Sequence, residues 1–222
     1  MSDCKGCDTP MVSNKKLAKD DGELLSDFSE YISIIGGLQY ATLIRPNIAF
    51  AVNKLSQFLS SPTSLHWQAC KRVLHYLQVT SYHGLQFISS GRTELTAFAD
   101  ADWGCDLDDR RSIGGYCVYL GGNLVSWSSK KQQVVSRSST ESEYRALASV
   151  SSELLWLQSL LKELQHCLST PPVVWCDNQS VAALAQNPIF HARTKHIELD
   201  IHFVCDQVLA KTLDVRYVPS TH

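Results

Sequence analysis

The chain has 222 residues, 44% hydrophobic and 19% charged, with a formal net charge of −2. That is enough to bury a core for one domain or two small ones, in the composition range of globular proteins. No apolar run reaches the roughly 18 residues of a membrane span, and the start, MSDCKGCDTPMVSNKK, lacks the apolar stretch of a secretion signal. An intracellular location, cytoplasmic or nuclear, with no membrane partner is therefore expected. The slightly acidic balance argues against a protein that lives on non-specific phosphate contacts, although local basic clusters remain.

Residues 1–24 are polar, rich in Gly, Asp and Lys, and read as a loosely ordered tail. Cys4 and Cys7 form a lone CxxC with no second pair at zinc-ribbon spacing. The other cysteines sit singly in apolar or strand-like runs, as reduced thiols do. From 25 to 81 the period is helical. Pro46 fits a first helical turn, Ile48, Val52, Leu55 and Leu59 share a face, and Trp67, Cys70, Val73, Leu74 and Leu77 form a second stripe. This is a small helical segment without chemistry of its own.

The period changes after Tyr82. HGLQFIS, ELTAFAD, GGYCVYLGG and LVSWSSK read as successive strands with glycine or polar turns. A long amphipathic helix follows in SSTESEYRALASVSSELLWLQSLLKEL. The strand PPVVWCD, a helix stopped by Pro188, a helix over KHIELDIHFVCDQVLAK and the strand LDVRYVP complete the order. The fold class is α/β, with residues 82–222 as one mixed sheet domain. Trp103, Trp127 and Trp175 read as core or near-core aromatics.

Three acids stand where they could share a divalent ion: Asp100 at a strand end, Glu143 at a helix start and Asp177 at a second strand end. Mg²⁺ takes oxygen ligands, and a two-metal phosphodiester site needs several carboxylates from different elements. Each acid also has a plainer reading. Asp100 and Asp102 suit a turn, Ser138-x-x-Glu141 and Thr140-x-x-Glu143 are both capping boxes, and Asp177 or Asn178 suits an N-cap. Spacing alone leaves both readings open.

The stretches ADADWGCDLDDRRSIGGYCVYLGGNLVSWSSKKQQVVSRSSTESEYRAL, WCDNQSVAALAQNPIFHARTKHIELDIHF and VRYVPSTH closely resemble the ribonuclease H region of copia-type LTR retrotransposon Pol polyproteins. YISIIGGLQYATLIRPNIAFAVNKLSQFLSSPTSLHWQACKRVLHYLQVT resembles the stretch joining that family's reverse transcriptase to its ribonuclease H. The resemblance implies a ribonuclease H-like mixed five-stranded sheet flanked by helices. It implies hydrolysis of the RNA strand of RNA–DNA hybrids with two Mg²⁺ (or Mn²⁺) ions held by Asp100, Glu143 and Asp177. Asp102 and Glu141 are assigned to surface or support roles. Lys130, Lys131 and Arg137, and Arg193, Lys195 and His196, are the candidate nucleic-acid contacts.

The family's fourth acid lies beyond YVPSTH and its polymerase motifs lie upstream of this sequence. The domain is therefore expected to be truncated at its C-terminus, with weak hydrolysis or none and no polymerase activity. The rest of a reverse transcriptase polyprotein is the expected protein partner. The alternative is a non-catalytic nucleic-acid- or protein-binding remnant on the same fold.

Overall fold

The computed structural model describes residues 6–12, 16–187 and 197–219. The chain divides into two units: one holds the residues up to Gln86 together with Asp106–Arg110, the other Phe87–Cys105 and everything from Arg111 on.

The first unit is built from α1 (Ser29–Ala41), a 3₁₀ turn over Pro46–Ile48, α2 (Ala49–Ser56) and α3 (Ser64–Val79). Pro46 opens the 3₁₀ turn, where a missing N–H loses no helical bond. Ile48, Val52 and Leu55 are buried with Ile35, Leu38, Cys70 and Val73. The Tyr31 hydroxyl donates to the Leu55 carbonyl at 2.8 Å, so burying that phenol leaves no orphaned donor. Within the stretch read as a loose tail, Leu17 is buried and the Ala18 carbonyl lies 3.1 Å from His66 Nε2. His66 itself completes a capping box with Thr63 at the start of α3.

A buried ion pair also belongs to this unit. Lys54 Nζ lies 2.7 Å from Asp106 Oδ2, and the Asp106 side chain is fully buried. Asp106 Oδ1 accepts from the Asp108 and Asp109 amides at 3.0 and 3.3 Å, which folds the segment into a tight turn.

The second unit is a mixed five-stranded sheet in the order β3-β2-β1-β4-β5. Its strands are β1 (Leu95–Asp102), β2 (Ile113–Leu120), β3 (Asn123–Lys131), β4 (Val173–Cys176) and β5 (Asp214–Tyr217). β1, β2 and β3 pair antiparallel, and β4 and β5 run parallel to β1. Gly121 and Gly122, both at positive φ, close the two-residue hairpin between β2 and β3, a turn that other residues adopt only with strain. The long helix α4 (Ser139–Glu163) buries Leu147, Val150 and Leu154 against Ala97, Ala99 and Val118 of the sheet. The helices α5 (Gln179–Gln186) and α6 (Glu198–Leu209) add Val181, Ala185, Ile201 and Val204 to the same core.

The architecture is the one the resemblance implies. HGLQFIS differs: residues 83–89 form no strand, and Phe87 and Ile88 are exposed. Alternation there marks two-sidedness, but ladder bonds need a partner strand. Ile88 has instead the Asn123 side chain, which bonds both its N–H and its carbonyl. Among the described residues no helix is long and apolar enough to cross a membrane.

Candidate metal centre

Alternation along β1 buries Leu95, Ala97, Ala99 and Ala101 and turns Asp100 and Asp102 to the other face. Parallel pairing sets Ala99 beside Cys176, so Asp177, the next residue after β4, comes level with Asp100. Glu143 arrives from the first turns of α4. Each of these three acids offers a carboxylate oxygen, all within 4.8 Å of one another.

The competing duties at the helix starts fall to other residues. Ser138 Oγ accepts from the Glu141 amide at 3.2 Å, and Glu141 Oε2 accepts from the Arg137 amide at 2.9 Å. Of the two overlapping capping signals, Ser138 is the N-cap that forms, the Glu141 carboxylate reaches back to the residue before it, and Glu143 is spared. Asn178 Oδ1 accepts from the Ser180 and Val181 amides at 3.0 and 3.2 Å, so Asn178 rather than Asp177 caps α5.

Electrostatics mark the cluster as strained without a cation. Burial, followed by the charges of Asp100 and Asp177, pushes the Glu143 carboxyl up to about 8, with the Ala101 amide opposing. Burial also raises Asp100, opposed by the Ala101 amide at 2.7 Å and reinforced by Asp177 and Asp102. Glu143 Oε2 is buried without a hydrogen-bond partner. A hard divalent cation of the Mg²⁺ class would satisfy that oxygen and the clustered charge together, so these residues fit such an ion.

The other sequence candidates distribute unevenly. Asp102 ends β1 exposed, beside the cluster, and Glu141 is buried in its capping role. Lys130 and Lys131 are the last residues of β3 and line a groove of about 640 Å³ with Gln132 and Arg145. Arg137 is exposed in the connection to α4. Arg193, Lys195 and His196 lie outside the described residues. Trp103 differs from the expectation: it is 53% exposed, because it follows the last strand residue and spends its indole N–H on the Ser136 carbonyl at 2.9 Å.

Sequence reasoning missed Arg145, which bridges Glu141 at 3.0 Å and Asp200 on α6 at 3.5 Å. The i,i+4 spacing of Glu141 and Arg145 was the available signal.

No family model matches the chain. The retrovirus-related Pol polyprotein from transposon RE2 of Arabidopsis thaliana is 52% identical over 215 residues, 96% of this chain. Along nearly its whole length the chain is similar to one segment of the Pol polyproteins of copia-type retrotransposons. A second Arabidopsis Pol polyprotein, from transposon RE1, is 50% identical over the whole chain. The chain spans 15% of the length of each of these polyproteins. Among solved structures, the foamy viral protease-reverse transcriptase in complex with an RNA/DNA hybrid covers 92% of this chain and 26% of its own. It does so at 14% identity and a TM-score of 0.53, a likeness of fold.

Proposed function

We propose that this part of a copia-type Pol polyprotein is a ribonuclease H that hydrolyses the RNA strand of RNA–DNA hybrids. The observation that carries the reading is the convergence of Asp100, Glu143 and Asp177 within 4.8 Å, with Glu143 Oε2 buried and unpartnered. These three residues would hold Mg²⁺ or Mn²⁺, two ions in the full reading. When bound, the ions supply the positive charge that activates water and stabilises the leaving oxygen.

The remaining work falls to the chain itself. Glu143 holds a proton near neutral pH while the cluster lacks a cation, and releases it when its carboxylate is needed as a ligand. Fixing Asp100 on a central strand and Glu143 on a long packed helix keeps the oxygens in place without loop motion. A near-A-form hybrid is recognised through shape, 2′-hydroxyls and phosphates, and Lys130, Lys131 and Arg137 would supply phosphate contacts.

The test is cleavage of a labelled RNA–DNA hybrid on a gel with Mg²⁺ or Mn²⁺. Asp100→Asn, Glu143→Gln and Asp177→Asn should each remove cleavage while leaving the fold intact. Cleavage that persists in all three overturns the reading. Hybrid binding with no cleavage by the parent chain would favour the non-catalytic module instead.

A further inference from the structure

Asp100 and Glu143 sit on different elements, so something must fix the distance between the end of β1 and the first turns of α4. A closed set of hydrogen bonds spans the two, centred on Gln132, the residue after β3. Its Nε2 donates to the Ser142 carbonyl at 2.9 Å, one residue before Glu143. Its Oε1 accepts from Ser136 Oγ at 3.1 Å, and its backbone N–H donates to the Ser112 carbonyl at 2.8 Å. Ser112 Oγ accepts from the Gly104 amide at 3.1 Å, and the Ser136 carbonyl accepts from the Trp103 indole. Trp103 and Gly104 directly follow β1, so the ring of contacts runs from the strand of Asp100 to the helix of Glu143.

The surroundings are shaped for this amide. Ser112, Ser136 and Ser142 are all buried. A Cβ built on Gly114 would lie 3.3 Å from Gln132 Nε2 and 3.6 Å from the Ala146 methyl. The glycine thus leaves room for the amide where β2 faces α4. Gly114 pairs with Ala101 on β1, one residue from Asp100.

We propose that Gln132 is a positioning residue for the metal centre: its amide sets the separation of Asp100 and Glu143, with Ser136 orienting the amide and Gly114 making room for it. The inference rests on the proposed reading of Asp100, Glu143 and Asp177 as cation ligands. In this role Gln132 acts through the helix carbonyl it holds, not as a cation ligand. Residues that orient metal ligands from outside the coordination sphere change metal affinity by about 10–100-fold when removed.

The test uses the full chain, with Mn²⁺ binding followed by calorimetry and thermal melting in EDTA as the control for folding. Gln132→Met keeps the side-chain length and removes both amide bonds. It should weaken Mn²⁺ binding about tenfold or more, with a small shift of the EDTA melting temperature. Ser136→Ala, which removes one hydroxyl bond to Gln132, should weaken it less, and it decides the matter if the methionine variant fails to fold. Mn²⁺ binding unchanged in a folded Gln132→Met, or in Ser136→Ala when that is the deciding variant, overturns the inference. Asp100→Asn separates the two levels. If it weakens Mn²⁺ binding and the Gln132 variant does not, only the positioning role falls; if Asp100→Asn binds as the parent does, the metal centre and the inference fall together.

Discussion

Each unit holds a carboxylate oxygen away from water, and the two are treated in opposite ways. In the first, Asp106 is fully buried against the Lys54 ammonium and two backbone amides. In the second, Glu143 is packed beside two further acids, with one oxygen lacking any hydrogen-bond partner. Burying charge is costly unless it is paired, so Asp106 is complete as it stands. Glu143 is completed only by a proton or by a cation from outside. The contrast separates an acid whose charge is compensated within the fold from acids whose charges are crowded together.

The largest expected effect breaks the complete site. Lys54→Met should cost about 3–5 kcal/mol, because it removes the ammonium paired with the buried Asp106 carboxylate. Urea unfolding measures this, and adding Asp106→Leu should recover most of the loss. A Lys54→Met protein as stable as the parent would mean that the pair holds nothing.

The next effect concerns the incomplete site. Divalent Mg²⁺ or Mn²⁺ should raise the melting temperature of the parent chain and leave that of a Glu143→Gln/Asp177→Asn double variant nearly unchanged. A melting curve with and without EDTA reads the difference.

The pH dependence sharpens the same contrast. Glu143 titrates near 8 when folded and near its ordinary 4.5 when unfolded, so the folded state binds more protons between those values. Stability without a divalent ion should therefore fall as pH rises from about 5 to 8, the slope expected when the native state is the better proton binder. Glu143→Gln should flatten that slope and melt higher than the parent at pH 8. An unaltered slope would show that Glu143 is not the group responsible.

The smallest effect tests the division of labour among neighbouring acids and caps. Asn178→Ala should cost about 1 kcal/mol, as loss of an N-cap does, because Asn178 rather than Asp177 holds the start of α5. Chemical denaturation at saturating Mg²⁺ measures it apart from any change in the cluster.

Much of this was legible beforehand, for physical reasons. Alternation in ELTAFAD fixed which residues of β1 face the core, and a helix 25 residues long was plain from the period of α4. Residue types at element ends brought Asp100, Glu143 and Asp177 forward as a group. What local pattern could not resolve was competition between overlapping signals. Ser138/Glu141 and Thr140/Glu143 satisfy the same capping rule two residues apart, and only the chain's path into α4 selects one. HGLQFIS alternates like a strand, yet strand formation depends on a partner outside the segment. Gln132 carried no local signal, since an amide between a strand and a helix is unremarkable until its bonds to Ser112, Ser136 and Ser142 are known.

The excursion Asp106–Arg110 has a consequence for dissecting the protein. It lies in sequence between β1 and β2 but folds with the helical unit, so the two units are interleaved along the chain and no single cut separates them. A fragment starting at Phe87 would keep every acid of the cluster and carry Asp106 without Lys54. Its behaviour would report the missing ammonium as much as the chemistry of the sheet. Moving the sheet unit into another chain then means carrying residues from before and after its first strand together.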